Sequence, residues 1–63
     1  MLTSQDTSRA AALLANRLGE VAVAAAVLRS QEAEGRGELI EMVNWRRIAE
    51  QVLRRFQPEY SAA

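Results

Sequence analysis

The sequence predicts an all-α protein, a two-helix antiparallel hairpin that dimerises into a four-helix bundle, and three observations lead to that prediction. Eight of the twelve alanines lie between residues 10 and 26, and alanine is the strongest helix former. Apolar residues recur in steps of three and four along two stretches, one on each side of Gly35 and Gly37. The 63 residues include no Cys and no His, so neither a disulfide nor a zinc site can stabilise so small a domain. Association with another chain remains as a way to stabilise the domain. The sequence predicts a single domain over residues 1–63.

The first predicted helix covers about residues 4–34. Thr3 or Ser4 can cap its start, because a side-chain hydroxyl there accepts a hydrogen bond from an unpaired backbone N–H. Asp6 follows Thr3 at the spacing of a capping box and places a negative charge near the positive end of the helix. The start of this helix is therefore well marked in the sequence.

The turn is predicted at residues 35–37, where glycine can take the left-handed conformation that ends a helix. A connection of three residues requires the second helix to return antiparallel to the first. That second helix is predicted over about residues 38–57, with acids in its first turn and arginines in its last, as the helix dipole favours. The tail at 58–63 is expected to be loose.

Each predicted helix has one apolar stripe that is expected to form the seam of the hairpin. In the first helix the stripe comprises Ala11, Leu14, Leu18, Val21, Ala25 and Leu28. In the second it comprises Met42, Trp45, Ala49, Val52 and Phe56. A neighbouring line of small residues favours close approach of another helix axis, with Gly19 as a contact point. Alanine-rich helix propensity, with Gly19 as a tolerated mid-helix defect, is the alternative explanation.

The stretch from Val21 to Leu28 is apolar on every side of the helix. A helix of that kind must be covered all round, and a chain of this size cannot do so alone. The sequence therefore predicts a homo-oligomer, with a dimer as the first choice, and leaves room for a larger protein partner. The residues expected at the self-association surface are Leu14, Leu18, Gly19, Val21, Ala22, Val23, Val27 and Leu28.

A polar surface on the second helix is the candidate nucleic-acid face. With Ala49 at the centre of the seam, a helical projection groups five side chains on the opposite side, three of them cationic. Such a face can bind phosphates and base edges. An ordinary solvated face, whose arginines suit the helix C-terminus, is the other reading. The five residues are Asn44, Arg47, Gln51, Arg54 and Arg55.

In length and topology the predicted hairpin is similar to the repressor-of-primer type of plasmid protein, although no motif of that family aligns with residues of this chain. The resemblance implies a hairpin that pairs into a four-helix bundle and binds RNA. The likeness covers length and topology only, so it agrees with the dimer prediction and transfers no function.

Composition argues against several other classes of protein. The eight arginines balance eight acids, so net charge favours neither a nucleic-acid binder nor a membrane-surface protein. Without Cys or His the usual nucleophiles and bases are absent, and the acids near the turn match no metal loop. We therefore expect no enzyme activity, no metal, no cofactor and no membrane span, and a cytoplasmic location by default. The predicted function is a small interaction or regulatory module that self-associates.

Overall fold

The computed structural model describes residues 3–57, and these residues form three helices and no strand. They are α1 (Ser4–Leu18), α2 (Val21–Gly35) and α3 (Leu39–Phe56). The all-α prediction is confirmed. The two-helix hairpin is wrong, because the stretch predicted as a single helix over 4–34 is two helices, and the four-helix bundle built from two such hairpins loses its basis. The expected loose tail at 58–63 lies outside the described residues.

The break falls at Gly19 and Glu20, which join α1 to α2 without a longer loop. Gly19 has φ 62° and ψ −143°, a backbone conformation that side chains with a Cβ rarely adopt. Its N–H still donates to the Ala15 carbonyl at 2.9 Å, and its own carbonyl accepts from the N–H of Ala22 at 3.0 Å. Gly19 therefore ends one helix and helps to begin the next, and it is neither a mid-helix defect nor a contact point between helices.

The predicted capping box at the start of α1 is present. The Asp6 N–H donates to the Thr3 hydroxyl oxygen at 3.1 Å, and the Thr3 N–H donates to an Asp6 carboxylate oxygen at 3.3 Å. Two N–H groups that the helix itself cannot pair are thereby satisfied. Thr3 and Asp6 thus fix the N-terminus of α1 where the sequence placed it.

The turn between α2 and α3 is made largely by backbone hydrogen bonds. The Glu38 N–H donates to the Ala33 carbonyl at 2.8 Å, and the Gly37 N–H donates to the Glu34 carbonyl at 3.0 Å. Gly37 has φ 74°, whereas Gly35 is still helical, so Gly37 supplies the left-handed residue that such a helix ending needs. The turn returns α3 along α2, as the sequence predicted for the chain on either side of Gly35.

The buried core of the described residues is built mainly from small side chains. Its apolar members are Ala11, Ala22, Ala26, Ala33, Ile48, Ala49 and Val52, and among fully buried side chains only Val52 is large. Alanine allows the helix axes to approach closely, at the cost of burying little apolar area per residue.

The predicted seam holds on α1 at Ala11 and Leu14, fails at Leu18, which is exposed, and is wrong in phase on α2. Ala11 is buried and Leu14 is half-buried on α1, but Val21 and Leu28 on α2 are 65% and 57% exposed. The buried positions of α2 are Ala22, Ala26, Ser30 and Ala33, one or two residues later along the chain than the seam positions. The turn at Gly19 causes this difference, because it interrupts the helical periodicity that was assumed to run through it.

Candidate interaction surface

A groove runs between α2 and α3 and opens to solvent, with a volume of about 380 Å³. We call it the α2–α3 groove. Residues from both helices line it: Val23, Val27, Ser30, Gln31, Glu34, Arg46, Ala49, Glu50 and Leu53. They recur in steps of three and four, so each helix contributes one continuous face.

The two ends of the α2–α3 groove differ in chemistry. Val23, Val27 and Leu53 provide apolar surface near the start of α2 and the end of α3. Toward the other end, Glu34 faces Arg46 across the groove, with a carboxylate oxygen and a guanidinium nitrogen 3.9 Å apart. Both charged side chains are more than half exposed, so water weakens this ion pair. The groove thus combines apolar surface at one end with an exposed pair of opposite charges at the other.

A second apolar surface lies on the side of α2 away from its buried alanines. Val21, Ala24 and Leu28 share that side, and all three are exposed. Further large apolar side chains that are exposed in the described residues are Leu13, Leu18, Val27, Leu39, Ile40 and Phe56. Eight large apolar residues are therefore exposed in the described part of the chain, whereas five of its seven buried apolar residues are alanine.

The predicted self-association residues fall into four groups in the structure. Leu18, Val21, Val27 and Leu28 are exposed, and of these only Val27 lines the groove. Leu14 and Val23 are half-buried and pack against the core. Ala22 is completely buried within the chain, so its place in the predicted surface is a correction. Gly19 lies at the helix break, where an added Cβ would meet no atom within 4 Å.

The residues that the sequence reasoning missed are those of α3 and the end of α2 that complete the groove beside the seam residue Ala49: Ser30, Gln31, Glu34, Arg46, Glu50 and Leu53. A signal was available, because Arg46 and Leu53 stand at helical spacing on either side of Ala49. The assumption of one long helix over 4–34 hid it, since that helix was expected to present its seam, and not this face, to the second helix.

The candidate nucleic-acid face is only partly formed. Arg47, Arg54 and Arg55 are exposed and Gln51 is half-buried, but Asn44 is only 6% exposed and cannot belong to a solvent-facing surface. The reason is α1, which packs against α3 on a side that a two-helix hairpin leaves open. The Oδ1 atom of Asn44 is buried and has no hydrogen-bond partner, which is unusual for a buried polar atom.

The acidic turn contains an ion pair rather than a metal site. The Nε atom of Arg36 donates to a carboxylate oxygen of Glu38, and this hydrogen bond together with the Glu38 charge raises the pKa of Arg36. Within residues 3–57 no group of three or more acidic side chains is arranged to hold a metal ion. No helix in that range is long and apolar enough to cross a membrane.

Comparison with known proteins adds no family to this description. No protein-family model matches the chain, and no curated protein or solved structure resembles it significantly. Arguments about function therefore depend on the surfaces described above.

Proposed function

We propose that this chain is a small, non-enzymatic interaction module that self-associates through its apolar helix faces. The observation that carries the proposal is the distribution of apolar residues: five of the seven buried apolar residues among those described are alanine, while valine and leucine side chains such as Val21, Val27 and Leu28 face solvent. Exposed apolar patches of this kind mark interaction surfaces on soluble domains.

The energetics of a small domain support self-association. A chain of about this size buries only about 60% of the surface that its unfolded form exposes. Each large apolar side chain moved from water into an interface contributes roughly 1.5 to 3 kcal/mol. Two or three such side chains per subunit are comparable with the whole stability of a marginal domain.

Sedimentation equilibrium from low micromolar to near-millimolar concentration tests the proposal. We expect the average mass to rise from the 7.0 kDa of one chain toward a multiple of it. A folded species that stays at the mass of one chain throughout this range would contradict self-association. In that case a larger protein partner is the remaining occupant for these surfaces.

Nucleic-acid binding is a second candidate function, and the observation that favours it is the exposure of Arg47, Arg54 and Arg55 along the last three turns of α3. Glu50 lies among them and opposes a phosphate backbone. If these three arginines each contact a phosphate, affinity for duplex DNA or structured RNA should fall roughly 40-fold between 50 and 200 mM salt. Binding that is absent at low salt, or unchanged in an Arg47→Ala, Arg54→Ala double variant, would remove this candidate.

A further inference from the structure

The α2–α3 groove has one wall on each helix, and the exposed ion pair gives these walls opposite charges. On the α2 wall the charged residue is Glu34, whereas Arg46 lies at the corresponding level of the α3 wall. The other end of the groove is apolar on both walls, through Val27 on α2 and Leu53 on α3. The groove is therefore apolar at one end, and at the level of the ion pair its α2 wall is negative and its α3 wall positive.

We infer that the occupant of this groove is a second copy of the chain, seated groove to groove with a two-fold axis parallel to the groove. This inference rests on the proposed self-association and specifies its surface. Rotation about that axis exchanges the two walls and keeps each level in place. Glu34 then faces Arg46 of the partner subunit, and Arg46 faces the partner subunit's Glu34. The apolar end of one groove then lies against the apolar end of the other.

The charges disfavour the other symmetric ways of pairing the two grooves. A two-fold axis across the groove lays α2 on α2 in reversed direction. If the axis passes at the level of Glu34, the Glu34 carboxylates of the two subunits face each other. If the axis passes near the middle of the groove, the charged end of each subunit covers the apolar end of the other. Like charges in contact and unpaired charges on apolar surface are both unfavourable at an interface. Complementary charge therefore selects the arrangement in which α2 packs on α3 of the partner.

Glu50 is the remaining charged residue of the groove, and the same arrangement accommodates it. It belongs to the α3 wall, so it faces the α2 wall of the partner subunit. There Gln31 is an exposed lining residue whose side-chain amide can donate to a carboxylate. The resulting dimer contains a layer of four helices from α2 and α3 of both copies, with α1 of each copy outside it.

Charge reversal followed by mixing tests this arrangement. Glu34→Arg alone and Arg46→Glu alone each oppose like charges twice at the interface, so each variant should dimerise about tenfold more weakly than the unaltered chain. Mixed in equal amounts, the two variants should form a heterodimer with affinity near that of the unaltered chain, because both contacts between subunits again join opposite charges. Sedimentation or native mass spectrometry measures this, and circular dichroism verifies that each variant is folded.

Mixing separates the contact between subunits from the ion pair within one chain. Each single variant also opposes like charges inside its own subunit, and a second protein cannot repair that. Failure of the mixture to recover affinity would therefore overturn the inference. Single variants that dimerise like the unaltered chain would also overturn it, since an arrangement of α2 on α2 predicts no such loss.

An apolar variant with a matched control adds an independent measurement. Val27→Glu places a charge at the apolar end of the groove and should weaken dimerisation at least tenfold. Leu13→Glu makes the same kind of change at an exposed position on α1 outside the groove, and it should have no effect. If Val27→Glu associates as strongly as the unaltered chain, self-association is still supported, but the groove is not its surface. A monomeric unaltered chain would remove both.

Discussion

Gly19 has a backbone conformation that reverses the usual expectation for a glycine between helical segments. In a helix interior, glycine costs about 1 kcal/mol relative to alanine, so the substitution would normally stabilise. At φ 62° and ψ −143° an alanine is strained instead, although space for its methyl group is available. The open space would allow a methyl group at position 19, but the backbone conformation disfavours one, and the backbone strain has the larger effect on stability.

Replacing Gly19 with alanine should therefore lower the free energy of unfolding, by about 1 to 3 kcal/mol. Gly35→Ala is the matched control, because Gly35 is helical and also has open space around its Cα. That control should stabilise the chain by up to about 1 kcal/mol. Urea denaturation followed through the fluorescence of Trp45 measures both variants at one fixed protein concentration. Stabilisation by Gly19→Ala would mean that residues 4–34 form one continuous helix after all.

Asn44 is the second residue whose environment predicts a result. Its Oδ1 atom is buried without a partner, and such an atom costs roughly 1 to 3 kcal/mol of desolvation that no hydrogen bond offsets. Asn44→Leu has a similar volume and removes the polar atom, so the free energy of unfolding should rise by about 1 kcal/mol. Asn44→Asp keeps the shape but buries a charge and should destabilise the fold at neutral pH. Equal stability of the two variants would show that position 44 is hydrated in solution.

Among the helices, α3 packs extensively against both others, and α2 packs mainly against α3. The buried apolar residues of α2 are Ala22, Ala26 and Ala33, and the helix presents valines and a leucine elsewhere on its surface. Its small side chains hold the two helices close together, while its large ones are left for other contacts. The line of small residues noted in the sequence thus has a structural role, but within one chain rather than between two.

Two alanines of α2 provide a test of that role. Ala22→Leu adds volume where the side chain is completely buried and should cost about 1 to 3 kcal/mol through overpacking. Ala24→Leu makes the same change two residues later, at an exposed position, and should leave stability within about 0.5 kcal/mol. Thermal unfolding by circular dichroism compares them. A similar loss in both variants would indicate that the outer face of α2 is also packed.

At the scale of the whole molecule, stability and association are expected to be linked. Anything that binds the folded chain and not the unfolded one raises the melting temperature, and a second copy does so in proportion to the logarithm of concentration. We therefore expect the midpoint of thermal unfolding to rise with protein concentration in the unaltered chain. The rise should disappear in Val27→Glu, for which calorimetry at several concentrations is the measurement. A midpoint independent of concentration in the unaltered chain would argue for a monomer.

Local signals in the sequence predicted local structure well, and assumptions about long-range order did less well. The Thr3–Asp6 capping box and the turn near Gly37 depend on a few neighbouring residues, so their spacing was sufficient to predict them. Gly19 was ambiguous, because the same residue type is tolerated within a helix and favoured at its end. The outcome depends on whether packing α1 on α3 is more favourable than continuing one helix through Gly19. That balance is set by tertiary contacts rather than by neighbouring residues.

The ambiguity at Gly19 also affected the prediction of the candidate surfaces. Once α1 packs on α3, Asn44 is covered, and the register between α2 and α3 brings Glu34 beside Arg46. The exposure of Val27 was predicted, because it lies off the predicted seam, whereas Val21 and Leu28 were expected inside the seam and are exposed. The buried position of Ala22 was not, since it depends on which face of α2 meets its neighbour.

The alanine core also decides which kind of mutagenesis can reveal this fold. Five of the seven buried apolar residues among those described are already alanine. A conventional alanine scan would leave those five positions untouched, and its strongest signals would come from Ile48, Val52 and the outer side chains. Read without the structure, such a scan would mistake the surface for the centre. A scan with leucine or another bulky residue would locate the interior of this protein, because here added volume, rather than removed volume, is what the packing cannot tolerate.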